Sequence, residues 1–274
     1  MELAHLKHVT AHLSPGEKMP VLFMGHGSPM NALENNEFTL AWEHIAASLP
    51  KPRAILCISA HWLTRGTLVT AMEKPPTIHD FGGFPEELFA VDYPAPGDPA
   101  LAEQTRLMVK VAQVLADQDW GLDHGAWSVI KRMYPKADVP VVQLSIDYHR
   151  PPRWHYDLGR ELAALREKGV LILASGDMVH NLRRLAFDRI GESYGFDWAL
   201  EAQAKFNQLI LARDHDALID YPSLGEAVRL SIPTPDHYYP LLYALALRMQ
   251  GDEVLVFNDK VMGGSVSMTS LRIG

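Results

Sequence analysis

Three short apolar runs, each leading within a few residues to a histidine, constrain this chain more than any other feature. Ala54-Ile-Leu-Cys-Ile58 is unbroken, contains two isoleucines, and exits through Ser59-Ala60 to His61. Val21-Leu-Phe-Met24 leads into Gly25-His26-Gly27, and Val170-Leu-Ile-Leu-Ala174 runs on to His180. Short apolar runs without alternation read as strands covered on both faces, the pattern of a parallel sheet packed between helices. Open sheets of that kind collect ligands beyond the carboxyl ends of their strands, so an imidazole there is better placed for chemistry than for packing. The glycines on either side of His26 let the backbone bend sharply around the ring.

The segments between these runs supply helices. Phe38, Trp42, Ile45 and Leu49 share one face of a helix that Pro50 and Pro52 stop. Leu101, Thr105, Met108, Val111 and Leu115 stand at helical spacing and predict one helix over residues 99–117. Residues 161–168 read as part of an amphipathic helix capped by Gly169, and residues 197–214 as a long helix. A strongly apolar helix running to about Met249 is expected to open with Thr234 as N-cap and Pro235 at its first position. Residues 68–72 and 139–146 read as further strands, and residues 253–257 and 265–273 as a terminal antiparallel pair joined through Gly263-Gly264.

The expected fold is a single α/β domain over residues 20–274. It has a largely parallel, twisted central sheet, helices on both faces and a short antiparallel C-terminal pair. Residues 1–19 are read as an N-terminal arm, with His5, His8 and His12 on a solvated lead-in.

At 274 residues and 47% hydrophobic composition the chain can bury a sizeable core. Its net charge of -8, with basic residues scattered, argues against nucleic acid or an anionic membrane and for a small-molecule partner. No apolar stretch reaches the roughly 18–20 residues that span a bilayer, and residues 1–20 lack the apolar core of a signal peptide, so a cytoplasmic location is expected. The lone Cys57 lies inside a predicted buried strand and reads as a small hydrophobe. Oligomeric state is not legible.

Residues 73–99 form a long irregular stretch containing Pro75-Pro76, Asp80-Phe81-Gly82-Gly83-Phe84-Pro85 and Tyr93-Pro94-Ala95-Pro96-Gly97. Loops this long in a compact domain are often lids or binding loops, and the aromatic residues argue against a solvated linker. His79 within it is read as a peripheral substrate contact.

Five of the thirteen histidines, His26, His61, His124, His180 and His237, fall in turns that follow strands or open helices, which favours one shared site. Imidazole suits zinc or iron among the common metals. Short-spaced zinc motifs, a phosphate loop, a dinucleotide fingerprint and a Gly-x-Ser-x-Gly elbow are all missing, which leaves a redox or Lewis-acid metal as the chemistry to expect.

Six motifs together carry a family resemblance: Gly25-His26-Gly27-Ser28-Pro29, Ser59-Ala60-His61-Trp62, Asp80-Phe81 with Gly83-Phe84-Pro85, Tyr93-Pro94-Ala95-Pro96-Gly97, Asp123-His124-Gly125-Ala126-Trp127 and Thr234-Pro235-Asp236-His237. In this order the chain resembles the class III extradiol ring-cleaving dioxygenases, nearest to their DOPA-cleaving branch. The resemblance implies a mononuclear non-haem Fe(II) site that uses O2 to open a catechol beside its two hydroxyls. It implies His26 and His61 as metal ligands, His124 as the histidine next to the metal shell, and His180 as the histidine after the later strand. Protocatechuate-cleaving relatives supply a glutamate ligand that has no match here. His237 is therefore chosen as third ligand, with His180 as a possible fourth and Asp123, Asp177 and Asp236 orienting the imidazoles.

A set of neutral histidines also resembles an ordinary zinc site, and zinc is expected to occupy it in purified protein. His124 and His180 are assigned acid–base work around a DOPA-like catechol. Trp62, Phe81, Phe84, Trp127 and Tyr238, with His79, are assigned to its pocket. The alternatives are a zinc-dependent hydrolase using the same histidines and a non-catalytic metal-binding protein.

Overall fold

The computed structural model describes residues 16–274, so His5, His8 and His12 lie outside the described residues. Its main strands are β1 (Val21–Gly25), β2 (Ala54–Thr64), β3 (Thr67–Thr70), β4 (Val114–Asp117), β5 (Val141–Asp147), β6 (Val170–Gly176) and β7 (Val254–Phe257). Then come β8 (Val261–Met262), β9 (Val266–Ser267) and β10 (Ser270–Ile273). Eight of them form one sheet in the order β4-β3-β5-β2-β6-β1-β10-β7, and β8 pairs with β9 separately.

The four central strands β5, β2, β6 and β1 are mutually parallel. Alternate residues serve opposite layers: Val21, Phe23, Leu56, Ile58, Ile172 and Ala174 pack into one core, Leu22, Met24, Ile55, Cys57, Leu171 and Leu173 into the other. Both faces being apolar, these strands read as continuous hydrophobic runs. The first layer is closed by helices Pro152–Glu161, Asp197–Leu211 and Tyr239–Ala246, the second by Glu37–Ala47 and His124–Met133. The chain is thus a mixed α/β domain of the expected class, and its sheet is antiparallel where β10 joins β1, where β7 joins β10 and where β3 joins β5.

Several elements depart from the expectation. The helix after Pro99 ends at Met108, and the chain turns extended at Val109 and forms β4 beside β3. Val111 and Leu115 fit the helical spacing only by coincidence, since both are exposed. Strand β2 does not stop at Ile58 but runs through His61 to Thr64, with its pairing to β5 slipping between Ile58 and Leu63. Residues 163–168 form a 3-10 helix rather than part of an α-helix, although Gly169 does cap it in the left-handed conformation at φ 76°. Thr234 is not an N-cap: the Pro235 carbonyl accepts from the N–H groups of Tyr238 and Tyr239, the helix begins at Tyr239, and Pro240 is the proline in its first turn. The terminal pair is β7 with β10, and β8 and β9 lie in the connection between them. Among the described residues no helix is long and apolar enough to cross a membrane.

Candidate metal centre

Strand register levels the site. Gly25 of β1 lies beside Gly176 of β6, and Ser59 of β2 beside Ser175 of β6, so His26 and Asp177 emerge side by side with His61 two residues past Ser59. The turn carrying His237 closes onto this edge because residue 176 is glycine: a Cβ there would stand 2.3 Å from the His237 carbonyl oxygen. That carbonyl accepts the Asp177 N–H at 3.0 Å. His124 opens a helix capped by Asp123, whose Oδ1 accepts from the Ala126 N–H at 3.1 Å and from the Ser59 hydroxyl at 2.6 Å.

The rings of His26, His61 and His237 form a nearly equilateral triangle, with centroids 5.1, 5.2 and 5.0 Å apart. Ligand atoms of the three lie within 4.8 Å of one another. Each ring has its Nδ1 committed elsewhere. Ser175 Oγ donates to the Gly125 carbonyl at 2.6 Å, so at its 3.0 Å contact with His26 it accepts, and the proton sits on His26 Nδ1. His61 Nδ1 faces Asp80 Oδ2 at 3.4 Å, and His237 Nδ1 is bonded to Asp236 Oδ2. The Nδ1–H tautomer suits both carboxylate contacts, and in that tautomer the Nε2 atoms of His61 and His237 are bare.

His26 Nε2 and His61 Nε2 face each other at 3.2 Å, and in the Nδ1–H tautomers both present lone pairs there. Beside them lies Asp177 Oδ2, 3.4 Å from His26 Nε2 and without a hydrogen-bond donor. Imidazole nitrogens and a buried carboxyl oxygen without a hydrogen-bond donor, converging at ligand spacing, are what a cation neutralises, so the residues fit a non-haem metal ion.

Electrostatics agree. Burial first, then repulsion from the neighbouring imidazoles, holds His26 and His237 well below the usual histidine range. Burial and His124 bring His61 down to about 4 against the pull of Asp123, Asp80 and Asp236, and burial brings His180 to about 4. The four are neutral at pH 7, the form that binds metal. Burial pushes Asp177 well above the usual carboxylate range against one hydrogen bond from the Gly27 N–H. Burial also raises Asp80, but hydrogen bonds and charge from His124 and His61 outweigh it and leave a net lowering.

His180 sits differently. Its ring is stacked on His237, centroids 3.5 Å apart and planes 9° apart. His237 is the one that clusters with His26 and His61, while His180 clusters with His237 and Asp177.

His124 lies 3.8 Å from His61 by ring centroids, with its Nδ1 3.0 Å from Asp80 Oδ2 and its backbone N–H donating to Asp80 Oδ1 at 2.8 Å.

The aromatic residues divide. Phe81 presents an edge to His124 at 5.5 Å and packs with Phe84 and Phe89, so the loop of residues 73–99 does lean over the site. His79 is held by the Val91 carbonyl and lies among Phe81, Phe89 and Trp127, one layer back. Trp127 is fully buried, its indole donating to the Ile78 carbonyl. Trp62 stacks on Trp120. Tyr238 does not line the pocket: it is buried against Phe206 and Tyr221 in the core, and its hydroxyl donates to the Leu218 carbonyl.

Asp80, Ser175 and Ser59 act on the histidines without having been singled out in the sequence. An acidic residue inside an aromatic loop of a histidine-rich chain was a usable signal for Asp80; the serines offered none.

The chain matches the family model described as the catalytic LigB subunit of aromatic ring-opening dioxygenase over residues 18–248. It is 47% identical over 265 residues to the 4,5-DOPA dioxygenase extradiol of Escherichia coli (strain K12), covering 94% of this chain and 95% of that one. It is 34% identical to the 4,5-DOPA dioxygenase extradiol of Beta vulgaris, covering 91% and 94%. The crystal structure of an uncharacterized protein from Escherichia coli K12 superimposes with a TM-score of 0.79 at 42% identity, covering 93% of this chain and 100% of that one.

Proposed function

Given that this chain belongs to the family of the catalytic LigB subunit of aromatic ring-opening dioxygenase, as an extradiol enzyme, we propose that it opens a DOPA-like catechol with O2 at an Fe(II) held by His26, His61 and His237. The observation that carries the reading is the convergence of three imidazoles whose outer nitrogens face Ser175, Asp80 and Asp236. Iron, when bound, would supply a Lewis acid for the catechol oxygens, as zinc also could, and a redox centre for electron exchange between catechol and O2, which zinc lacks.

The chain's own residues do the rest. Ser175, Asp80 and Asp236 fix ring orientation, which raises the ligands' basicity and saves reorganisation when metal binds. His124, held by Asp80 through its backbone N–H and with its Nδ1 3.0 Å from the same carboxylate, is positioned to take a proton from a catechol hydroxyl. His180, stacked on His237 and tied by its N–H to the Ser231 carbonyl, is the second proton-transfer group. Phe81, Phe84 and Phe89 form an apolar wall that keeps water from the ring being opened.

Oxygen uptake with DOPA after anaerobic Fe(II) loading, beside a zinc-loaded control, tests this reading. Uptake by the iron form alone is the expected result. Anaerobic turnover of an ester or amide by the zinc form would point instead to a hydrolase, and metal binding without turnover of any catechol to a mere binder.

A further inference from the structure

Asp177 is a group at the sheet edge whose chemistry is left incomplete. Its side chain is fully buried, Oδ1 accepts from the Gly27 N–H at 3.1 Å, and Oδ2 has no hydrogen-bond donor. The nearest nitrogen to Oδ2, His26 Nε2 at 3.4 Å, is bare because its proton sits on Nδ1 toward Ser175. Once Asp177 is ionised, its Oδ2 and that lone pair face each other with no proton between them, an arrangement a cation relieves. Asp177 also has an oxygen within 4.8 Å of ligand nitrogens of His180 and His237.

We propose that Asp177 is itself a metal ligand, so that the centre is built from three histidines and one carboxylate. The inference rests on the reading that His26, His61 and His237 hold the ion. Donors about 2.0–2.2 Å from one metal, at tetrahedral or octahedral angles, lie roughly 3.0–3.5 Å from each other. The His26–His61 and His26–Asp177 separations of 3.2 and 3.4 Å are of that size. Charge argues the same way: three neutral imidazoles leave a divalent ion with its full charge in a buried site, and one carboxylate halves it. The backbone holds the carboxylate in place, through the Asp177 N–H on the His237 carbonyl and the Gly176 that lets that carbonyl approach.

Asp177→Asn keeps the size of the side chain and the acceptor for Gly27. Co(II) affinity by chelator competition and the visible spectrum of the Co(II) form should be compared for wild type, Asp177→Asn and His237→Ala. Asparagine should weaken Co(II) binding at least ~10-fold, the lower end of the loss for groups that merely orient ligands, and should alter the spectrum. Affinity within twofold and an unchanged spectrum would overturn the inference. If Asp177→Asn fails to fold, a crystal structure of the wild-type Co(II) form decides. A metal–Oδ2 distance of about 2.0–2.2 Å upholds the assignment, and one beyond about 3 Å refutes it. Full metal retention by His237→Ala would instead count against the histidine reading itself.

Discussion

Gly125→Ala is a one-carbon change whose effect can be worked out from contacts at the site. Gly125 lies in the first turn of helix His124–Met133, and a Cβ there would stand 2.5 Å from Ser59 Oγ and 2.7 Å from His61 Cδ2. Ordinary contacts are about 3.5–4 Å, so something must give by roughly 1 Å. Ser59 cannot retreat easily: its hydroxyl donates to Asp123 Oδ1 at 2.6 Å and accepts the His61 N–H at 3.2 Å. Nor can the helix lift away freely, because the Gly125 carbonyl holds Ser175 Oγ, and through it His26 Nδ1. Every route of relief moves a proposed metal ligand. Overpacking should cost about 1–3 kcal/mol, a fall in Tm of roughly 2–10 °C. Metal affinity should fall about 10- to 100-fold, the range seen when ligand orientation is disturbed. Thermal melting and competitive Co(II) titration measure both, with Gly191→Ala as control since its Cβ meets nothing within 4 Å. Wild-type affinity and Tm in Gly125→Ala would refute the reasoning.

Other substitutions have separate readouts. Replacing His26 or His61 with Ala should remove most bound metal while leaving cooperative unfolding, which elemental analysis and melting check. His124→Gln should retain iron yet lose roughly 10²- to 10⁴-fold in turnover with an altered pH–rate profile, and near-wild-type turnover would dismiss its acid–base role. Phe81→Ala should raise KM for a catechol with metal affinity unchanged, read by steady-state kinetics and titration. Away from the site, burial raises Asp252, but Arg166, Lys18 and the Met249 N–H outweigh it and hold its carboxyl at about 2 instead of 3.8. Because the folded value is the lower one, its stabilisation of roughly 2–3 kcal/mol is present above about pH 5 and is lost as the pH falls through 4 toward 2. Asp252→Asn, which strands the buried Arg166 guanidinium, should destabilise by about 3–5 kcal/mol at pH 7 and show a shallower acid limb in urea melts.

The central strands were legible because burial on both faces leaves an uninterrupted apolar run, as in residues 54–58 and 170–174. Most of the histidines were legible because they follow or open a regular element; His61 instead lies within β2, past the apolar run that marks it. Strand β4 was not: it lies at an edge with Leu115 and Ala116 exposed, so no hydrophobic pattern marks it, and its residues continue the helical spacing before it. Asp80 acts on His61 and His124 only after the loop closes from a distance in sequence that no local pattern encodes. Ser175 and Ser59 orient ligands through hydrogen bonds that depend on inter-strand register, and Tyr238 was drawn into the pocket by its nearness to His237 although its ring points into the core.

The position of β1 also sets an order of events. The strand carrying His26 lies between β6, residues 170–176, and β10, residues 270–273, so the first of the central strands to be synthesised has no partner until later ones exist. Gly25 in addition packs against the backbone of Met268 and donates to the Ser270 hydroxyl. The early histidines therefore gain their geometry only after nearly the whole chain has been made, through contacts that close long loops and fold slowly. With the proposed ligands, a nascent chain would present His26 and His61 without His237, a poor trap for a passing ion. On that assignment metal selection is deferred to the folded protein, where the finished site and not the order of encounter decides what is kept.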